Sequence, residues 1–346
     1  MSEKHKLTRE EFLRICGGTA GMLILGKSLA SSQARNETPL PAQKETPVAK
    51  KETPPAAKDP QSSSAGTGKL PYAFAQEGVL KPGVERPRGI AIDAKDNLYV
   101  AGAKGVAVFD PSGKKTREIP SSGPATCVTI GADGDVFIAQ ETRIEVFDAQ
   151  GKPKASWGKE GKGPGELGYV TSLAVCDDFI YVADYGNRAL HRFAVTGDFV
   201  DSIPGFLIPS PFFDCAIGPE KTLLVGNTGR HRVERYDTNG KLLGFWGKQG
   251  LAPEDFCGCC NPTNLAVFED GRIAASEKGI PRLRVCDAKG NLLAFLGPEA
   301  FPEDAKGMDL AINSKGRIAL LEPVSGQVKF YKMVRNGLKP ALRPDS

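Results

Sequence analysis

The sequence has few of the features that mark enzymes, membrane proteins and nucleic-acid-binding proteins. It contains no apolar run of about 18 residues, which argues against an ordinary membrane-spanning helix. Only three histidines occur, and the chain has neither a Gly-x-Ser-x-Gly nucleophile motif nor a Cys-x-x-Cys-His haem-attachment motif. The net charge is only +4. Most of that excess precedes residue 69, so the remainder lacks a basic excess for nucleic acid.

Glycine and proline are abundant instead, with 40 and 26 copies in 346 residues. These residues favour turns, and many turns between short apolar segments predict an all-β chain. The chain is long enough to bury a large core without disulfides.

Residues 1–34 predict an export leader or an N-terminal anchor. A basic start precedes a short apolar run at residues 15–29, followed by small residues that suit a signal peptidase. The start resembles a twin-arginine export signal at Thr8, Arg9, Phe12, Leu13 and Arg14, with Glu10 in place of the second arginine. The alternative is the first helix of a cytosolic protein. Export would place the protein in the periplasm or at the cell envelope.

Residues 35–68 predict a disordered linker rich in Pro, Ala and Lys. Glu-Thr-Pro recurs three times, and no aromatic residue is present. This composition buries too little apolar surface to offset the entropy of ordering. The linker is either a tether to a membrane or wall, or a leader without a role. Residues 334–346 are predicted to form a C-terminal tail.

One pattern of short strands recurs six times between residues 69 and 333. A small residue marks the first strand of each copy, and the marks are about 38 to 50 residues apart. They are Ala91, Thr129, Ala174, Ala216, Ala266 and Ala311. The spacing is typical of four-stranded propeller blades. We therefore predict a six-bladed β-propeller, in which residues 70–75 supply the outer strand of the last blade and remove a free sheet edge.

The repeats resemble those of the NHL-repeat family of β-propellers. The best matches are Val-Ala-Asp-Tyr-Gly-Asn-Arg at residues 182–188 and Asn-Thr-Gly-Arg-His-Arg-Val at residues 227–233. The Trp-Gly connectors that begin at Trp157 and Trp246 also fit. The resemblance implies a propeller, but not one activity, because the fold hosts scaffolds, sensors and some enzymes.

The residue two positions before each mark is expected to face the mouth of the central channel. This ring consists of Gly89, Cys127, Ser172, Asp214, Asn264 and Asp309. Its oxygen donors suit a divalent cation, and related lactonase-like propeller hydrolases hold a catalytic ion on a comparable Glu/Asn/Asp trio. The alternative is a hydrated channel lined by polar residues. The His-ligated zinc of amidating-lyase relatives is not expected, because His191 and His231 fall near third strands.

Cys257, Cys259 and Cys260 form a cysteine-rich loop before the first strand of the fifth blade. With Cys127 or Cys215 they are candidates for a zinc, copper or iron–sulfur site, for a disulfide, or for unpaired thiols. Cys286 occupies a core slot that aromatic residues fill in other blades.

The sequence favours a non-enzymatic, exported, monomeric binding or scaffold module for a protein, peptide or glycan. The first alternative is a metal-dependent hydrolase that uses Asp214, Asn264 and Asp309. The second is a redox or metal-binding protein that uses the cysteine-rich loop.

Overall fold

The computed structural model describes residues 70–336 of the chain. The predicted leader (1–34), the predicted linker (35–68) and residues 337–346 lie outside the described residues. Within residues 70–336, no helix has the length and apolarity needed to cross a membrane.

The described part of the chain consists of 24 β-strands and three short 3-10 helices. The helices are Pro219–Lys221, Thr228–Arg230 and Pro298–Ala300. In chain order the strands are β1 (Tyr72–Leu80), β2 (Gly89–Ile92), β3 (Leu98–Gly102), β4 (Gly105–Phe109), β5 (Lys115–Pro120), β6 (Cys127–Ile130), β7 (Val136–Ala139), β8 (Ile144–Phe147), β9 (Pro153–Trp157), β10 (Val170–Cys176), β11 (Phe179–Asp184), β12 (Ala189–Ala194), β13 (Phe199–Pro204), β14 (Cys215–Ile217), β15 (Leu223–Asn227), β16 (Arg232–Tyr236), β17 (Leu242–Trp246), β18 (Asn264–Val267), β19 (Ile273–Glu277), β20 (Arg282–Cys286), β21 (Leu292–Leu296), β22 (Leu310–Ile312), β23 (Ile318–Glu322) and β24 (Gln327–Arg335).

These strands form six four-stranded antiparallel sheets, which confirms the predicted six-bladed propeller. Blades 1 to 5 take consecutive strands, from β2–β5 to β18–β21. Blade 6 has the order β22-β23-β24-β1, so the first strand of the described chain closes the last blade as predicted. The innermost strands contact one another in sequence, and β22 contacts β2 to complete the ring. β24 extends to Arg335, beyond the boundary predicted at residue 333.

The hydrophobic core of the described residues is divided into six clusters, one between each pair of neighbouring blades. Blades 3 and 4, for example, share Phe206, Phe213 and Tyr236. Strand residues alternate between the two faces of a blade, so each sheet packs against both of its neighbours. The core is therefore repeated around the ring, and every blade depends on two others.

All inner strands begin on one face of the propeller, which we call the channel face. In an antiparallel blade, the turn between the second and third strands and the connection to the next blade lie at that same end. The channel face therefore carries the ring positions, the cysteine-rich loop and the turns that precede β4, β8, β12, β16, β20 and β24.

Candidate functional site

The six ring positions surround the channel, as the repeat alignment predicts. Each lies at the start of an innermost strand or within two residues of it. Five of the side chains line a cavity of about 360 Å³, namely Cys127, Ser172, Asp214, Asn264 and Asp309. At the sixth position, a Cβ on Gly89 would lie 3.4 Å from Oδ2 of Asp309 and 3.0 Å from Cα of Cys127. Glycine therefore leaves room for the neighbouring blades to approach closely.

Asp309 connects the sixth blade to the blades on both sides. Its Oδ2 accepts a hydrogen bond from the backbone N–H of Ile90 in blade 1 at 2.7 Å. Its Oδ1 accepts one from the backbone N–H of Leu310 at 2.8 Å and one from Nδ2 of Asn264 in blade 5 at 3.2 Å. Because these donors come from three successive blades, the carboxylate closes the ring at its inner wall.

Asp214 makes the same type of connection one blade earlier. Its Oδ2 accepts a hydrogen bond from the backbone N–H of Leu265 in blade 5, and its Oδ1 accepts one from the backbone N–H of Cys215 at 2.9 Å. Ser172 of blade 3 donates to the carbonyl of Cys215 at 3.4 Å. Polar ring residues therefore link neighbouring inner strands, a role that repeat counting alone does not reveal.

The channel environment favours the neutral forms of its acidic groups. Burial raises the pKa of Asp214 to about 6. Burial, reinforced by the charge of Asp214, raises the pKa of Asp309 to about 7. Burial also raises the pKa of the thiols of Cys127 and Cys215, which therefore remain protonated. The raised pKa values increase the protonated fraction of both carboxyl groups near neutral pH.

Some features of this ring favour the binding of a cation, and others oppose it. Oxygen donors suit a hard cation, and Oδ1 of Asn264 has no hydrogen-bond partner. Asp214 and Asp309, however, each accept two backbone hydrogen bonds. Among residues 70–336, no group of three or more His, Cys, Asp or Glu side chains is arranged to hold a metal ion.

The cysteine-rich loop lies on the channel face between blades 4 and 5. The backbone N–H of Cys257 donates to Oε2 of Glu277 at 2.7 Å, and Glu277 also pairs with the fully buried Arg284. His231 of blade 4 donates through Nε2 to the carbonyl of Gly258 at 3.0 Å. A buried ion pair and a neighbouring blade thus fix the course of the loop.

The three cysteines of the loop differ in exposure and contacts. Cys257 is fully buried, and its Sγ contacts the carbonyl of Ile280 at 3.5 Å. Cys259 is exposed, whereas Cys260 is buried, and their Sγ atoms are 3.0 Å apart. Ser210 donates through Oγ to Sγ of Cys260 at 3.2 Å.

The structure does not bring this loop together with Cys127 and Cys215. Those two cysteines line the channel, where Cys127 contacts Thr126 and Cys215 contacts Ser172. Cys286 lies in the core of blade 5, in agreement with the sequence prediction. No disulfide joins any two cysteines within residues 70–336.

The two histidines of the propeller are held by neighbouring groups and do not line the channel. His191 bonds Oγ of Ser202 at 2.8 Å and Oδ2 of Asp184 at 3.3 Å. His231 bonds the cysteine-rich loop. The geometry offers no pair of histidine ligands near the channel cavity.

An arginine pocket, which the repeat pattern does not predict, lies beside the channel mouth between blades 1 and 2. Arg86, Arg88 and Arg143 line a cavity of about 330 Å³, together with Glu141, Pro124 and Ala125. Arg88 also lines the channel, so the two cavities are adjacent.

The guanidinium groups of this pocket are only partly engaged by the protein. Arg88 donates through Nη1 to the hydroxyl of Tyr169 at 2.8 Å, and Arg143 donates through Nε to Oγ of Ser156. Arg86 lies 3.8 Å from Glu85, and both side chains are largely exposed. The remaining N–H groups can receive a carboxylate or another anion.

Comparisons with known proteins support the class of fold that the structure defines, a β-propeller. No family model and no curated protein matches the sequence. Solved structures do match: a streptogramin B lyase is 11% identical over 76% of this chain and 98% of its own, with a TM-score of 0.52. A virginiamycin B lyase from Staphylococcus aureus is 14% identical over 75% of this chain and 100% of its own, with a TM-score of 0.52.

A chain of a mitotic checkpoint complex is similar as well. It is 12% identical over 85% of this chain and 99% of its own, with a TM-score of 0.55. At these identities the matches establish the fold and carry no activity to this chain.

Proposed function

We propose that this chain is an exported NHL-type β-propeller that binds a protein or peptide through an anionic group at the channel face. The arginine pocket is the observation that carries the proposal. Three arginines and Glu141 line it, and the neighbouring Pro124 and Ala125 can contact the body of a ligand. Arginine suits this task because its planar donors can bind a carboxylate with two hydrogen bonds.

Exposed apolar side chains extend the same face. Leu207, Leu251 and Val324 are 48%, 53% and 58% exposed and lie in connections or turns on the channel face. Exposed apolar side chains on the same face can add contacts with a bound protein. A protein segment with an acidic side chain or a free carboxyl terminus would engage both features. A neutral glycan would leave the guanidinium groups without a charged partner.

Binding of carboxylate peptides tests this function directly. A peptide library displayed with free carboxyl termini and acidic side chains should yield ligands for the full chain, and amidated neutral peptides should not. Arg88→Ala and Arg143→Ala should each weaken a selected peptide about tenfold or more, because charge-assisted hydrogen bonds contribute about 1.5–3 kcal/mol. Arg235→Ala, an exposed arginine on β16, serves as the matched control. Equal binding by all variants, or selection of neutral ligands only, would refute the proposal.

The leader and linker support the exported part of the proposal. Residues 1–34 have the charge and apolar pattern of an export signal, and the Pro-rich composition of residues 35–68 suits a spacer. Cell fractionation tests this point: the full chain should reach the envelope fraction, and a chain without residues 1–34 should stay in the cytoplasm.

A metal-dependent hydrolase is the second candidate function. Its support is the convergence of Asp214, Asn264 and Asp309 on the channel, with Oδ1 of Asn264 lacking a partner. The backbone hydrogen bonds to both carboxylates count against it, since they already stabilise the ring. If the ring binds a cation, excess Ca²⁺ should raise the melting temperature, and Asn264→Ala should abolish that rise.

A further inference from the structure

The pair Cys259 and Cys260 stands apart from the other cysteines of the propeller. Their Sγ atoms are 3.0 Å apart, about 1 Å more than the length of a disulfide bond. Cys259 is an exposed residue and Cys260 is buried, so of the two Cys259 is the one that an external molecule can reach. Such an arrangement separates an attacking thiol from a resolving thiol.

We propose that Cys259 and Cys260 form a redox-active vicinal dithiol that exchanges with disulfide substrates and cycles between a dithiol and a Cys259–Cys260 disulfide. The inference stands independently of the proposed peptide-binding function. In this cycle the exposed Cys259 attacks the substrate disulfide, and the buried Cys260 then breaks the mixed disulfide that results. The substrate is defined by its chemistry, an accessible disulfide that acts as the two-electron oxidant.

The surroundings of Cys260 prepare it for the resolving step. Burial raises the pKa of this thiol, but hydrogen bonds from Cys259, Ser210 and Lys278 and the charge of Lys278 outweigh burial, so its pKa lies below the ordinary value. The ammonium group of Lys278 is itself held 4.9 Å from the ring centre of Phe212. A thiolate is thus stabilised next to the sulfur that a substrate would modify.

The exchange balances in two steps. The sulfur of Cys259, after losing its proton, attacks the external disulfide, forms a mixed disulfide and releases one thiolate. The thiolate of Cys260 then attacks Sγ of Cys259, forms the Cys259–Cys260 bond and releases the second thiolate. The two cysteine protons end on the two released thiols, and two electrons pass from the cysteines to the substrate.

The product should be an easily reduced disulfide. Cα atoms of adjacent residues are about 3.8 Å apart across a trans peptide, which is shorter than the separation of about 4.4–6.8 Å in ordinary disulfides. A bond between neighbours is therefore strained, and strained, exposed disulfides are the labile and regulatory ones. Reversible exchange fits this pair better than a permanent structural link.

Cys257, in the same loop, is expected to be much less reactive than Cys259 and Cys260. Burial, reinforced by the charge of Glu277, raises the pKa of its thiol to about 12. Its sulfur contacts the carbonyl of Ile280 and is fully buried. It should remain a thiol while its two neighbours react, which makes Cys257→Ser the matched control.

Mass spectrometry after equilibration with glutathione and glutathione disulfide tests the proposal. The full chain is quenched in acid, denatured, alkylated and digested with trypsin, and the fragment of residues 249–272 contains all three loop cysteines. The dithiol form should carry three alkyl groups on this fragment. The oxidised form should carry one, on Cys257, and return to three with excess glutathione. The Cys257→Ser chain should show the same internal oxidation.

Two variants identify the individual steps. Cys260→Ser should accumulate a stable glutathione adduct on Cys259, because the resolving sulfur is gone. Cys259→Ser should acquire at least tenfold less adduct, because Cys260 is buried. Three alkyl groups under oxidising conditions, a disulfide that includes Cys257, or equal adducts on both variants would overturn the proposal. None of these outcomes depends on whether the arginine pocket binds peptides.

Discussion

The two buried aspartates of the channel ring behave differently from the aspartates in the turns of the blades. Asp148, between β8 and β9, accepts backbone hydrogen bonds from Lys152 and Gln150, which hold its pKa below the ordinary value. Asp214 and Asp309 also accept backbone hydrogen bonds, but burial outweighs them and raises their pKa values. The same residue type therefore stabilises the fold in its ionised form in the turn and in its neutral form in the channel.

A pH dependence of stability follows from the channel pair. With pKa values of about 6 and about 7 in the folded state, these groups bind more protons than in the unfolded chain. Their contribution is complete below the unfolded pKa of about 4 and is lost as the pH rises through 6 and 7. Asp309→Asn should therefore reduce the loss of stability between pH 5 and pH 8, as measured by urea midpoints.

Asp304→Asn, on an exposed loop of the same region, controls for a general effect of charge removal. Comparing the pH slopes of the two variants separates ionisation from any loss of hydrogen bonding, because lost hydrogen bonds lower stability at every pH. An unchanged slope in Asp309→Asn would show that Asp309 does not titrate in this range.

At the scale of single elements, β1 has a larger role than its position at the start of the described chain suggests. It pairs with β24 from Tyr72–Arg335 to Leu80–Val328, with one bulge between Gln76 and Gly78. The ring of Phe74 also lies 6.2 Å from that of Tyr331. Without β1, blade 6 would present an open sheet edge.

Deletion of residues 1–80 should accordingly destabilise the propeller far more than deletion of residues 1–66. Losing a closing strand should cost at least about 3 kcal/mol, which lowers the melting temperature by roughly 6–12 °C in a domain of this size. Calorimetry and size-exclusion chromatography provide the measurements, and the longer deletion should also aggregate. Equal melting of the two truncated chains would show that β1 is dispensable.

For the molecule as a whole, the repeated strands could be predicted from the sequence because each blade repeats the same local pattern. Ala174 and Ala311 mark the first strands of their blades, and the residues two positions earlier, Ser172 and Asp309, were expected to face the channel. The structure places both residues in the lining of the channel cavity. The closing role of β1 followed from the missing fourth strand of the last blade. These predictions needed only periodicity and the rule that sheet edges are covered.

Contacts between separate loops could not be predicted in the same way. Arg86 and Arg143 belong to different blades, and no local pattern indicates that their side chains line one pocket. The bonds from Asp309 to Ile90 and from Asp214 to Leu265 depend on how closely adjacent inner strands approach. The repeat alignment does, however, place two of the pocket arginines on the channel face. Arg88 lies one residue before a ring position, and Arg143 lies in a turn on that face.

The most direct test of the channel face as the binding surface is hydrogen–deuterium exchange of the full chain with and without a selected carboxylate peptide. The account predicts slower exchange in residues 81–88 and 140–143, which border the arginine pocket, and no change in the turns at residues 93–97 and 131–135 on the opposite face. Protection of the opposite face, or no protection around Arg88 and Arg143 at saturating peptide, would contradict it.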